Sequence, residues 1–532
     1  MATVPSGREF AGEAVRSDRV SYWLDSAPGT TYGELSGDLE TEVAVVGGGI
    51  VGISVAALLA ERGVDVVLLE AGRIAAGVSG FTTAKVTVGQ GVVYSRLERA
   101  HDAETARLFA EAQVAALDHV RAFVADHEIR CDLEERSNYV LGVSDDELDT
   151  LREECAAAQR AGLPTEFVTD AELPLGAIGA VCLEGQAQFH VRKYLLGVAE
   201  AAAGAGATIL ERAHVHAVEG DGPYLVRAGG GGVRAERVVV ATHYPIVEQG
   251  YFATRIHPRR SYAVAARIAE DAVPDGMFIN IGTPTRSFRT APLDGGGRLL
   301  ILGGEGHRVG QDDDTSGRYA ALERAAREHF GIDAVEYRWS TQDNFSVDGL
   351  PFVGTVGNEG SGLYAATGFG GWGMTGGTMA ALLIADLIGG KEQHWARVFD
   401  ARRMGATGAV RRFVTENVNV TAQQVGGRLA SRPEGVEGLT QGEGRVISLD
   451  GRDVALFHGP DGLSAVSAAC THMGCVVSWN TAETTWDCPC HGSRFAPDGM
   501  VLHGPALKDL EAVELPTNAT SGEISGQAEA SA

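Results

Sequence analysis

Cysteine is scarce, with seven in 532 residues. That is too few to staple a chain of this length, so a disulfide scaffold is excluded. Long apolar runs are missing as well. The best one, residues 380–388, contains Asp386 and follows a glycine-rich loop, well short of the ~20 apolar residues that span a bilayer. The opening residues MATVPSGREFAGEAVRSD have no apolar stretch of the signal-peptide kind, because Glu9, Glu13 and Asp18 interrupt them. The expectation is a soluble cytoplasmic protein with no membrane span. Positive charge is also in short supply: 44 basic against 70 acidic side chains give a net charge of −26. Such a surface repels nucleic acid and anionic lipid, so neither is expected as a partner. Glycine is abundant at 71 residues, yet 44% of the chain is hydrophobic, which excludes a fibrous or wholly disordered protein. The length predicts two to four domains of ~100–200 residues each.

Three zones follow one another. Residues 1–40 are polar and turn-rich, with Tyr22 and Trp23 as docking points on what comes next. From 41 to about 415, short β-branched runs alternate with helical periodicity, the pattern of α/β structure. Strands are predicted at 42–46, 64–70, 237–241 and 298–302, and helices at 52–62 and 102–127. GGRLASRPEGVEGLTQGEG then reads as a linker, and the residues from about 440 to 516 read as all-β. The final stretch is too polar to fold and is expected to be disordered. There are no internal repeats.

The segment EVAVVGGGIVGISVAALLAERGVDVVLLEAG places Gly47, Gly49 and Gly52 as G-x-G-x-x-G between a strand and a helix. Gly47 permits the tight turn, Gly49 lets backbone approach a pyrophosphate, and Gly52 allows close helix–strand packing. The helix N-terminus aims free N–H groups at the phosphates. Glu70 ends the next strand, where an acid binds ribose hydroxyls. This unit predicts a dinucleotide and does not by itself separate NAD from FAD.

Near the other end, CTHMGCVVSWNTAETTWDCPCHGSRF supplies Cys470-x-His472 and Cys488-x-x-His491. Two cysteines and two histidines suit tetrahedral zinc and equally a Rieske [2Fe–2S] cluster, with thiolates on one iron and imidazoles on the other. Each loop also carries one extra cysteine, Cys475 and Cys490. The paired motifs C-T-H-x-G-C and C-P-C-H-G-S resemble those of the Rieske proteins of quinol-oxidising cytochrome complexes. The resemblance implies Cys470 and Cys488 as thiolate ligands, His472 and His491 as imidazole ligands, and Cys475–Cys490 as a disulfide clamping the loops. It further implies Ser493 as a hydrogen-bond donor to a bridging sulfide and Gly504-Pro505-Ala506 as a covering loop. Phe495 stands where high-potential relatives have tyrosine, so an intermediate potential is expected. The remaining cysteines, Cys131, Cys155 and Cys182, have no partners at ligand spacing and read as ordinary thiols.

The middle of the chain selects the flavin. RWSTQDNFSVDGLPFVG followed by LYAATGFGGWGMTGGTMAALLIADLI resembles the closing segment of the D-amino-acid-oxidase-like flavoproteins, which wraps FAD. The resemblance implies flavin contacts at Thr82, Thr83, Gly370, Gly371, Met374 and Thr375, with the Val215 backbone against adenine. It is nearest to the subgroup that carries a C-terminal Rieske domain, with TTAKVT, PTRSFRT and RWSTQD matching. Val191 replaces a proline common in relatives, and no cysteine or histidine at 77–83 offers a covalent flavin link.

The fold implied is an α/β FAD-binding Rossmann-like domain with an interleaved α+β substrate domain, plus a small all-β C-terminal Rieske domain. The boundaries expected are an N-terminal extension at 1–40 and the flavoprotein at 41–415, with dinucleotide-binding parts at about 41–110, 185–258 and 340–395. A linker at 416–439, the Rieske domain at 440–516 and a tail at 517–532 complete it.

Amine oxidation by flavin needs orientation more than an acid–base dyad, and a carboxylated substrate needs a cation over the flavin. Arg289 is the candidate, against a structural ion pair, with Arg286 and Arg260 behind it. His243, His190 and His257 suit buried structural roles, and Trp372 suits a pocket wall or helix packing. The activity expected is dehydrogenation of a small-molecule amine or amino acid, with electrons passing through the cluster to a protein or quinone acceptor. The alternatives are reverse flow from a ferredoxin-type donor into biosynthetic redox chemistry, and a sensor or structural module on an oxygen-using oxidase.

Overall fold

The computed structural model describes residues 18–515, apart from 170–172, 313, 359, 404–409, 430–431 and 434–436. The tail expected at 517–532 and most of the N-terminal extension lie outside the described residues.

Strand Leu39–Val46 sits at the centre of an eight-stranded sheet. It pairs in parallel with Gly231–Val240 on one side and Val66–Leu69 on the other. Its last residues are buried on both faces, as a continuous apolar run demands of a doubly covered parallel strand. Helix Ile50–Glu61 follows at once and is buried almost throughout. It packs on the sheet beneath helices Val191–Gly204 and Gly373–Ile388. The long helix Ala103–Asp126 is capped by the Asp102 carboxylate, which accepts from the Thr105 N–H at 2.7 Å.

A second, nine-stranded sheet stands where the sequence led us to expect the substrate domain, and its strands come from segments between those of the first. Strands Tyr337–Ser346, Ile256–Ile268, Arg298–Arg308, Arg286–Pro292 and Met277–Asn280 run side by side, continuing through Glu134–Gly142 and Gly179–Gln188 to Lys85–Val86. Tyr22 and Trp23 are buried at the seam between the domains. The Trp23 indole donates to the Thr82 carbonyl at 2.7 Å, and the Tyr22 hydroxyl donates to the Pro292 carbonyl at 3.1 Å.

Residues after 443 build two small antiparallel sheets, Gly444–Leu449/Arg452–Gly459/Gly462–Ser467 and Ser478–Asn480/Thr485–Asp487/Arg494–Phe495/Val501–His503. The stretch from 416 expected as a linker is helical up to 429, within helix Val410–Leu429. This is a correction with a packing reason. Glu416 accepts from Arg308 at 2.9 Å and Asn417 donates to the Thr254 carbonyl at 3.0 Å, both on the part of the chain that holds the two large sheets. Val420 meets the core of the C-terminal domain, and Gln424 donates to the Met473 carbonyl at 3.3 Å. Tertiary contacts thus hold a helix whose Gly426 and Gly427 would each cost about 1 kcal/mol relative to alanine.

Candidate functional sites

A cavity of about 940 Å³ runs from the first glycine turn to the substrate sheet. Gly47, Gly49, Glu70, Thr82, Thr83, Val215, Gly370, Gly371 and Met374 all line it, so nine residues drawn from five separate segments converge on one space. Gly47 has φ +108, and a Cβ there would stand 2.5 Å from the Ala241 carbonyl oxygen. Gly52 lies below the cavity, where a Cβ would stand 1.9 Å from the Gly47 carbonyl oxygen. It serves helix–strand packing and not ligand contact. The Glu70 carboxylate accepts from Gly48 N–H at 2.6 Å and Gly72 N–H at 2.7 Å. Burial nevertheless outweighs these bonds and raises its pKa. The Gly-only cradle, the half-buried acid and the helix end at Gly373–Met374 suit FAD, with Glu70 for its ribose and the glycine turn for its pyrophosphate.

Two expected contacts lie elsewhere. The Thr375 hydroxyl is 1% exposed and faces away from the cavity, donating to Thr87 O and accepting from Thr87 N, both at 3.0 Å. Arg289 is also 1% exposed and does not line the cavity. Its Nη1 donates to the carbonyls of Ala84 at 2.8 Å and Phe189 at 3.3 Å, and its guanidinium lies 5.1 Å from the Trp23 ring. Burial, with Glu134 opposing, brings its pKa down to about 9. Arg289 therefore ties the N-terminal segment to the substrate sheet. Arg286 is likewise engaged, with Glu305 at 2.6 Å. His190 is a structural histidine: Nδ1 caps Lys193 N–H and Nε2 lies 2.9 Å from the Ser26 hydroxyl. Burial lowers its pKa to about 3. Trp372 does line the cavity.

In the C-terminal domain the four expected ligands come together. The rings of His472 and His491 stand 5.0 Å apart and nearly perpendicular. A hydrogen bond from the Cys488 thiol draws the Cys470 thiol down to about 7. Cys475 and Cys490 form the disulfide. Their sulfurs cluster with Cys488, but bonded to each other they do not serve as thiolates. The buried Nδ1 of His491 meets no partner, which suits a metal ligand atom. Ser493 is fully buried; its hydroxyl accepts from Ala506 N–H at 3.0 Å and donates to the Cys470 sulfur. Two thiols, two imidazoles and a separate disulfide suit a Rieske [2Fe–2S] cluster.

The two sites adjoin. Leu502, His503, Gly504, Ala506 and Leu507 of the C-terminal domain form part of the wall of the flavin cavity. The backbone at His243, which has φ +63, is held by Asn344 and Thr367 donating to its carbonyl at 3.1 and 2.7 Å. Its ring meets that of His503 at 5.3 Å. Tyr244 lines the cavity, and its ring centroid stands 6.5 Å from that of His472 and 6.5 Å from that of His491. Polar contacts seal the junction. Gln342 donates to Gly492 O at 3.0 Å, Gln311 to Pro489 O at 3.1 Å, and Tyr319 to Glu483 at 2.8 Å. Arg260, fully buried, donates to Gln342 and lies 4.0 Å from Asp487. Sequence reasoning missed Tyr244, His503 and Lys85. Lys85 sits inside TTAKVT and Tyr244 just after the strand expected at 237–241, but nothing in a linear sequence shows which side chain faces a cavity.

Comparison with known proteins agrees with this geometry. Residues 42–387 match the model of the FAD dependent oxidoreductase family, and residues 434–514 match the Rieske [2Fe-2S] domain. YhfW of Bacillus subtilis (strain 168), a protein named for a Rieske 2Fe-2S iron–sulfur centre, is 33% identical over 96% of this chain and 100% of its own length. Gamma-glutamylputrescine oxidoreductase of Escherichia coli (strain K12) is 25% identical over 70% of this chain and 90% of its own. Glycine oxidase from Geobacillus kaustophilus shares the fold, with a TM-score of 0.57 at 23% identity over 69% of this chain and 99% of its own. The chain belongs to the FAD-dependent oxidoreductase family of the D-amino-acid-oxidase type, and it carries a C-terminal Rieske domain with FAD and a [2Fe–2S] cluster as its cofactors.

Proposed function

We propose that this oxidoreductase dehydrogenates an amine or amino acid and passes the electrons through its Rieske centre to an external protein or quinone. Tyr244 carries the reading, since one buried residue lines the flavin cavity and turns its ring to the two histidines. When bound, FAD supplies a two-electron acceptor and the cluster a one-electron carrier. The protein's own residues arrange the rest. The 500–509 loop walls the cavity against bulk water. His491 is 3% exposed, and burial beside His472 lowers its pKa to about 4 while the Ala253 carbonyl of the flavoprotein opposes. His472 is only half-buried, and the Met473 side chain next to it is 49% exposed. One ligand therefore turns toward the flavoprotein and the other toward the outside, as a relay between an inner donor and an outer acceptor requires. The similar proteins named for glycine and gamma-glutamylputrescine support an amine-bearing substrate.

The test is anaerobic mixing of the holoenzyme with a panel of amines and amino acids, followed by low-temperature EPR. A reduced Rieske signal produced by an amine alone is the expected result. A bleached flavin with a cluster that stays oxidised would overturn the relay. Reduction of the flavin only through an added reduced ferredoxin would establish the reverse flow.

A further inference from the structure

Buried carboxylates among the described residues have partners of opposite charge or several backbone donors. Glu154 accepts three backbone N–H groups, from Val93, Tyr94 and Ser95. Glu211 pairs with Arg73 at 2.8 Å, and Asp487 with Arg494 at 3.1 Å. Three buried cations, Lys85, Arg192 and Arg289, have no such ion pair among the described residues, and of these Lys85 alone lines the cavity. It is 7% exposed and has no carboxylate within ion-pairing distance among the described residues. The charged group it feels is a like charge, Arg289, behind it. Its Nζ donates to the Phe278 carbonyl and to the Ser287 hydroxyl, both at 2.6 Å. An ammonium has three N–H donors, so one remains for the cavity. Because the Ser287 oxygen accepts from Lys85, its own proton is available as a second donor, and Ser287 also lines the cavity.

A desolvated cation without a counter-ion is costly to bury and is retained where a ligand supplies the missing charge. The surroundings are those of the substrate sheet, with Ile279, Asn280 and Gly303 in the same wall, and the glycine turn lies at the other end. Burial, reinforced by Arg289, brings the Lys85 ammonium down to about 7, and an arriving anion would restore its charge.

We infer that Lys85, with the Ser287 hydroxyl beside it, anchors a carboxylate on the substrate, so that the substrate class is an amino acid or other carboxylated amine and not a simple amine. This inference rests on the reaction proposed above and gives to Lys85 the role that sequence reasoning offered to Arg289.

The test uses the oxidised holoenzyme titrated with acetate, pyrrole-2-carboxylate and benzoate, and with the corresponding amides, followed by flavin absorbance. The acids are expected to perturb the flavin band and the amides are not. Lys85→Met is expected to weaken the best acid by about 30-fold or more, the loss that follows removal of one member of a buried charge pair. FAD content and the cluster EPR signal stay unchanged. Ser287→Ala is expected to weaken it about fivefold, as for one hydrogen bond. Equal binding by wild type and Lys85→Met would overturn the anchor, and so would amides binding wild type as well as acids, a result that needs no variant. If simple amines reduce the flavin as fast as amino acids, the anchor fails while dehydrogenation stands. If the acids bind through Lys85 and no amine reduces the flavin, the reaction fails while the anchor stands.

Discussion

The flavoprotein and the Rieske domain reach a defined structure by different means. In the flavoprotein one apolar core extends from Tyr22 and Trp23 through the buried helix Ile50–Glu61 to the closing helix Gly373–Ile388. Its cofactor cradle is carved from backbone: a tight turn at Gly47, supported by close helix–strand packing at Gly52 beneath it, and a helix end at Met374. The Rieske domain has two small cores, one of which contains the cysteines of both cluster loops. A domain of this size buries too little apolar surface to be very stable alone. It relies on a disulfide, a metal centre and docking. Packing sets tolerance in the first region, and side-chain chemistry sets it in the second.

Replacing a proposed cluster ligand separates the two most sharply. His491→Ala should abolish the Rieske EPR signal altogether while FAD content and anaerobic flavin reduction persist. Loss of both cofactors together would show that the flavoprotein depends on the small domain for its fold.

Gly52→Val should be nearly as severe on the other side. A branched side chain cannot share space with a carbonyl oxygen 1.9 Å from its Cβ, and overpacking of this kind costs about 1–3 kcal/mol or more. The readout is FAD per chain after gel filtration, with the cluster retained in whatever protein remains soluble.

Cys475→Ser with Cys490→Ser opens a loop of sequence separation 15. Chain-entropy arguments assign about 3 kcal/mol to a loop of that length. The Rieske EPR signal should disappear at a lower urea concentration than in wild type, while the flavin transition stays in place.

Arg260→Met strikes the junction. Asp487 keeps Arg494 as a partner at 3.1 Å, so the loss should be limited to about 1–3 kcal/mol, from one buried charge–dipole set. Transfer from flavin to cluster should become slower, without loss of either cofactor.

The smallest effect is a pH dependence within the flavoprotein. Burial would raise the Asp348 pKa, but the hydrogen-bonded Arg403 guanidinium at 2.7 Å outweighs it and holds the carboxyl below its ordinary value. A depressed folded pKa adds stability above the unfolded value of ~3.9 and loses it as pH falls toward the folded one. Asp348→Asn should therefore lower the urea midpoint of the flavin transition at neutral pH, and the gap should narrow below pH ~4. A constant gap would assign the effect to shape and not charge.

Much of the fold was legible because its signals are local. The expected strand at 42–46 falls within Leu39–Val46, that at 237–241 runs one residue past the end of Gly231–Val240, and the helix at 102–127 is Ala103–Asp126 with Asp102 and His127 as its caps. Apolar runs and cap residues carry that information within a few positions. The helix across 416–429 was not legible, because glycine lowers its propensity and only contacts with Arg308 and with the Rieske core hold it.

By itself the sequence determined a dinucleotide site and a cysteine–histidine metal site, and resemblance of the flanking motifs selected FAD and a [2Fe–2S] cluster for them. The glycine spacing is set by backbone sterics around a phosphate, and the paired C-x-H and C-x-x-H loops by the valence of the metal. Tertiary structure alone decided which side chains face the cavity. Arg289 and Ser287 alternate with Phe288 on one strand, yet only Ser287 reaches the cavity, because Arg289 is drawn to Trp23 and the carbonyls of Ala84 and Phe189. The placement of Tyr244 between flavin cavity and cluster histidines was decided in the same way. It arises where residues 244, 472 and 491, distant along the chain, are brought together by domain docking, and no periodicity in a sequence encodes that distance.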